Sequence, residues 1–121
     1  MVGKNEFVEY LSDLFADFGP VEAKAMFGGY GIYKKGQMFA IVIDDILYFK
    51  TDEKTKADFE ARGLKPFTYL RRNREISLSY HLAPDEVLED AKAMRDWAEK
   101  AYAAALRASP RRKKRGADPA L

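Results

Sequence analysis

From Lys4 to Phe18 the apolar residues Phe7, Leu11, Leu14, Phe15 and Phe18 recur at steps of 4, 3, 1 and 3, while Glu6, Glu9, Asp13 and Asp17 fall mostly off that stripe. This is the period of an amphipathic helix, and Gly19-Pro20 supplies its stop. The pattern then changes. Val21 to Phe27 alternates loosely as a first strand, Gly31 to Lys35 is short and β-like, and Gln37 to Ile43 is strongly apolar. Asp44-Asp45 separates that run from Ile46 to Thr51, so residues 30–51 predict a three-stranded meander at the centre of a sheet. Asp52 is placed to cap a short helix reaching Arg62 and ended by Gly63; with Phe59 and Leu64 as its large apolar residues, it is expected across a sheet edge. Phe67 to Leu70 and Ile76 to Tyr80 predict two further strands around the polar turn Arg71-Arg72-Asn73-Arg74, the second with alternate residues apolar. Pro84 suits the first position of a long helix in which Val87, Ala91, Met94, Ala98, Ala101 and Ala105 recur at steps of 4, 3, 4, 3 and 4, broadened by Leu88, Trp97 and Tyr102. Ser109-Pro110 breaks it. The element order predicts an α+β domain, with an antiparallel sheet of about five to six strands packed in two layers against an N-terminal helix and a long C-terminal helix.

The stretch around which these elements are organised is Met26-Phe27-Gly28-Gly29-Tyr30-Gly31-Ile32-Tyr33. Glycine tolerates positive φ and lets another backbone come close, so three glycines in four positions predict a sharp corner between strands with aromatics held on it. Three readings apply: a structural corner, a ligand or partner surface at the bend, and a phosphate cradle. The last needs a helix after the glycines, whereas Ile32-Tyr33 is strand-like.

Composition narrows the chemistry. The 121 residues are 47% hydrophobic and 33% charged, the balance of a soluble domain, and no apolar run approaches the length of a membrane span. The start of the chain reads as no signal peptide, and absence of cysteine excludes disulfides, thiol nucleophiles and thiolate metal sites; the cytoplasm is the expected compartment. His81 is the one histidine, with no converging carboxylates at ligand spacing, so it is expected to pair with backbone at a strand end, and neither a metal nor a cofactor is expected. No nucleophile–base pair is evident, and no enzymatic activity is expected.

The net charge of +2 is unevenly spread. Arg111, Arg112, Lys113, Lys114 and Arg115, opposed by Asp118, give residues 111–121 a charge of +4 and leave residues 1–110 at −2. The chain divides accordingly into a folded body, residues 1–109, and a basic tail, residues 110–121, either a solvated extension or a salt-sensitive contact with nucleic acid. Tyr30, Tyr33, Tyr48, Tyr69 and Tyr80 fall on strands beside Arg71, Arg72 and Arg74; they fit a half-buried sheet or a platform for stacking single-stranded bases.

Ala25 to Tyr33, Gly36-Gln37-Met38-Phe39-Ala40 and Leu47-Tyr48-Phe49-Lys50 resemble the N-terminal domain of the TfoX/Sxy family. Pro66-Phe67-Thr68-Tyr69, Ser79-Tyr80, Pro84 to Asp90, Trp97-Ala98 and Ala101 to Ala105 extend the resemblance over about residues 5–107. It implies a secretion-chaperone-like α+β fold and a bacterial cytoplasmic protein linked to natural competence, without catalytic residues. In that family TfoX is a coactivator beside the cyclic-AMP receptor protein, usually with a second, helical domain; the resemblance ends near residue 107, so a stand-alone form of the N-terminal domain is expected here. The expected function is therefore a regulatory module acting through a protein partner, with Tyr30 and Tyr33 as candidate contacts. The alternative is nucleic-acid binding through the tail and the Arg71–Arg74 turn. A free sheet edge could also pair two copies of the chain.

Overall fold

The structure, a computed structural model, describes residues 5–26 and 28–109. Phe27 of the glycine motif and the tail residues Arg111, Arg112, Lys113, Lys114 and Arg115 lie outside them. Helix α1 (Glu6–Leu14) leads into strands β1 (Glu22–Met26), β2 (Gly29–Lys34), β3 (Gln37–Ile43) and β4 (Ile46–Lys50). Helix α2 (Lys56–Glu60), strands β5 (Pro66–Arg71) and β6 (Arg74–Leu82), a 3-10 turn (Asp85–Leu88) and helix α3 (Ala91–Ala108) follow. The six strands form one antiparallel sheet in the order β1-β2-β3-β4-β6-β5, the α+β arrangement expected from the pattern.

Three hairpins turn on two residues with positive φ: Lys35-Gly36, Asp44-Asp45 and Arg72-Asn73. Their hand matches the twist of the flanking strands, which is why two-residue turns of this kind close antiparallel pairs. The glycine run divides its labour differently from a single bend. Gly28, with φ of 86°, is in the turn, whereas Gly29 and Gly31 lie inside β2. A Cβ on Gly29 would lie 1.8 Å from the Val42 carbonyl oxygen, and one on Gly31 would lie 2.6 Å from Met38 Sδ. Gly29 thus permits the close β2–β3 approach, and Gly31 lets side chains close over the strand.

The helices cover one face of the sheet. Asn5 caps α1 by accepting from the Phe7 and Val8 amides, and the helix buries Val8 and Leu11. Phe15 and Phe18, in the turns that follow, meet Phe39 at centroid separations of 5.5 and 5.1 Å. Phe39 is the extra residue of a bulge, because Ile32 pairs with Ala40 but Tyr33 with Met38. The bulge turns both Phe39 and Ala40 toward the helices. Ile32, Val42, Leu47 and Phe49 complete the strand side of this core; Met94, Ala98, Ala101 and Ala105 of α3 complete the other. Small residues on α3 let it lie close on β3 and β4.

Two expectations need correction. The long C-terminal helix does not begin at Pro84: a 3-10 turn buries Val87, and α3 starts afresh with Asp90 accepting from the Lys92 amide. An unbroken apolar period concealed this restart, because a 3-10 turn and an α-helix both place residues three apart on one side. The short helix is five residues long and does not lie across an edge. Asp52 closes the preceding turn through the Lys54 and Thr55 amides, and Phe59 is fully buried, 5.6 Å from His81 and 5.0 Å from Trp97. Arg107 grips the same Asp52 carboxylate with Nε at 2.6 Å and Nη2 at 3.1 Å, tying the end of α3 to this turn. That pairing, with the capping bonds, holds the Asp52 carboxyl down at about 2.

Gly29→Ala is expected to cost about 3 kcal/mol or to prevent folding, because backbone must move to admit the methyl. Gly36→Ala, which meets no atom within 4 Å but sits at φ of 81°, should cost only about 1 kcal/mol. Urea denaturation of the two variants measures the contrast.

Candidate functional site

Residues on the other side of the strands face a surface that no described helix covers. Cross-strand register places Lys24, Met26, Gly31, Tyr33, Met38, Ile41, Ile43, Tyr48, Lys50, Ile76, Leu78 and Tyr80 there, with Phe67, Tyr69 and Arg71 of the outermost strand. Between Pro66 and Thr68 the β5–β6 register slips: β5 advances two residues, from a partner at His81 to one at Ser77. Such an irregularity bends a hairpin, and here β5 and β6 line one cleft with β3 although β4 lies between. The cleft has a volume of about 550 Å³. Its floor is Ile41 and Ile43, one wall is Met26 and Gly28, and the other is Phe67, Tyr69, Arg71 and Leu78. Ile41 is only 2% exposed although it lies outside the helix-side core.

The aromatic residues divide between the two faces. Tyr33, Tyr48, Tyr69 and Tyr80 share the open face, where Tyr48 meets Phe67 edge-on at 5.0 Å and Phe67 stacks with Tyr69 at 6.3 Å. Lys24 lies 4.9 Å from the Tyr33 ring centre and Lys50 lies 5.3 Å from that of Tyr80. Burial pushes the Tyr80 hydroxyl up to about 12, with Tyr33 adding to the shift, and burial followed by Asp44 raises that of Tyr48. Both remain neutral phenols at physiological pH. Tyr30 points the other way, half-buried against the helix-side core, so Tyr30 and Tyr33 do not form one contact surface. Three residues apart on a strand, they fall on opposite sides. Arg71 and Arg74 face each other across the hairpin, and Arg72 occupies its turn at φ of 53°. Sequence reasoning did not find the cleft: its floor and walls come from strands far apart in the chain.

His81 lies on the helix side, not in the cleft. Its Nδ1 is 3.0 Å from the buried Thr51 hydroxyl, a side-chain partner in place of the expected backbone one. Its Nε2 stands 3.6 Å from Glu60, beyond hydrogen-bond reach. Burial lowers its pKa, Glu60 opposes that shift, and Lys56 reinforces it. Among the described residues no group of three or more His, Asp or Glu side chains could hold a metal ion, and no helix is long and apolar enough to cross a membrane.

The described residues thus form an α+β domain whose antiparallel sheet leaves one face uncovered by helices and carries an apolar cleft there. The TfoX N-terminal domain matches residues 13–105, and the chain belongs to that family. It is also 27% identical over 77 residues to the DNA transformation protein TfoX1 of Aliivibrio fischeri, an alignment covering 60% of this chain and 37% of that relative. The chain therefore spans little more than a third of the curated relative it matches.

The displaced pKa of His81 gives a pH signature. Its folded-state value lies below the ordinary 6.5, so the unfolded chain binds the proton first. Stability is fully present above 6.5 and declines as pH falls below it, until the folded-state value is reached. Asp52 acts in a lower window, between its ordinary 3.8 and about 2. Urea denaturation from about pH 7.5 to about pH 5 should show a decline that is weaker in His81→Phe.

Proposed function

We propose that this chain is a non-enzymatic, competence-related regulatory protein that acts by contacting a protein partner at transcription complexes. Family membership and the name of the transformation relative support the biological setting. The observation that carries the mechanism is the outer edge of β5. It ends the sheet, and Leu70 on it is 74% exposed. A free strand edge offers unpaired backbone groups to another chain, and an exposed large apolar residue beside it supplies the side-chain contact. A second copy of the chain is one such partner. The role at transcription complexes follows the coactivator function of the family.

A second reading rests on the hairpin tip. Arg71, Arg72 and Arg74 are together there, and Arg72 occupies a left-handed conformation that costs a non-glycine residue about 1 kcal/mol. With the basic residues 111–115, this tip would give direct, sequence-independent nucleic-acid binding.

Leu70→Asp is expected to abolish nuclease-resistant capture of the protein partner and to lower transformation frequency in a naturally transformable host, with the urea midpoint unchanged. Capture that survives the substitution overturns the edge reading. Nucleic-acid binding that strengthens at low salt and disappears on deleting residues 111–121 establishes the second reading instead.

A further inference from the structure

The cleft on the open face has a shape and charge of its own, separate from the exposed edge at Leu70. At about 550 Å³ it lies within the roughly 300–1,000 Å³ typical of small-molecule sites. Hydrocarbon dominates its lining, through Ile41, Ile43, Leu78 and Phe67. Among the described residues one lining residue carries a charge, Arg71, and Arg74 stands opposite it across the hairpin. Among the described residues no carboxylate pairs with either guanidinium, whereas Arg62, Arg95 and Arg107 each have an acidic partner.

The surrounding face has the same sign. Among the described residues, register puts Lys24, Lys50, Arg71 and Arg74 on it against Glu22, with Asp44 at its margin near Tyr48, although residues 1–110 as a whole carry −2. A cavity with an apolar floor and an unneutralised planar cation at its mouth complements a molecule with a hydrocarbon body and one anionic end. The fork of Arg71 suits a carboxylate, whose two oxygens it can engage together. A smaller cavity, of about 180 Å³ between α1 and the 3-10 turn, is lined in part by Asp45 and Asp85 and has neither the size nor the charge for such a molecule.

We propose that the cleft between the β1–β2 turn and β5 binds a small aliphatic carboxylate of the fatty-acid class. Its chain lies on Ile41, Ile43 and Leu78, and its carboxylate meets Arg71. Gly28 and Gly31 belong to the same design: the turn at Gly28 forms the rim, and the missing side chain at Gly31 lets Met26, Tyr33 and Met38 pack beside the floor. A medium-length chain is of a size with such a cavity. This site does not depend on the protein-contact reading, since Leu70 is outside its lining.

The test uses the full chain with dodecanoate, dodecanol and dodecylammonium, each below its micelle-forming concentration. Binding is measured by calorimetry and located by methyl NMR of the isoleucines. The expected result is saturable dodecanoate binding that shifts the Ile41 and Ile43 methyls and leaves that of Ile32, in the helix-side core, in place. Arg71→Leu should weaken dodecanoate by about tenfold, the equivalent of one charge-assisted hydrogen bond, and leave dodecanol within about twofold. Arg71→Lys should recover part of that loss. Leu78→Trp, which fills the wall, should abolish binding of both, with an unchanged urea midpoint showing that it folds. The proposal is overturned by equal affinity for dodecylammonium, by an Arg71→Leu variant that binds dodecanoate like the parent, or by shifts spread away from Ile41 and Ile43. It is overturned too if these methyls respond to a partner peptide or to single-stranded DNA and to none of the three amphiphiles.

Discussion

Strand β3 has to be covered on both faces, and the rest of the architecture answers that requirement. Phe39, Ala40, Ile41 and Val42 are all buried, so neither face of the central strand can meet water. The bulge at Phe39 sends two consecutive residues to the helix side, where Phe15, Phe18 and α3 receive them. Ile41 is left on the other side, where the β5–β6 hairpin and the glycine turn rise around it. One face is filled by helices. The opposite one is closed only in part, and what remains open is the cleft.

The helix layer is held by polar ties as well as by its apolar contacts. Asp52 serves the turn before α2 and the end of α3 through a single carboxylate, which is why its pKa falls so far. Arg62 meets Glu86 through two nitrogens, Lys100 meets Asp58, and the Tyr10 hydroxyl donates to the Leu88 carbonyl. These contacts set the position of α2 and the 3-10 turn beside α3. Exposed pairs contribute little stability individually, so their part is to fix geometry around a core that Phe59, Trp97 and the small residues of α3 already make dense. Lys34 acts similarly at the other end, donating to the Phe18 carbonyl at 2.9 Å with its ammonium 3.9 Å from the Phe18 ring centre.

Charge and apolar surface are distributed unevenly between the two faces of the sheet. Basic side chains gather there, while the body as a whole is slightly acidic. The exposed edge at Leu70 and the cleft are neighbours, yet they offer different chemistry: one a strand edge with an apolar side chain, the other an enclosed hydrocarbon surface with one cation.

The sequence by itself determined the elements and their order, because local period and turn chemistry are local properties. The stripe from Phe7 to Leu14, the apolar run Gln37 to Ile43 and the positions of Gly36, Asp44-Asp45 and Arg72-Asn73 were legible as helix, strand and turns, although the helix stops at Leu14 and Phe15 and Phe18 reach the core from turns. The glycine-aromatic run was also enough to indicate the family. Strand alternation by itself puts Tyr30 and Tyr33 on opposite sides, but the bulge at Phe39, the restart of α3 at Asp90 and the partner of His81 were decided elsewhere. Each depends on a bulge, a 3-10 turn or a contact between residues distant in the chain, and no local pattern encodes these. The cleft is the strongest case. Met26, Ile41, Tyr69 and Leu78 come from four strands and line one cleft beside a slip in the β5–β6 register, so the site exists in the tertiary structure alone.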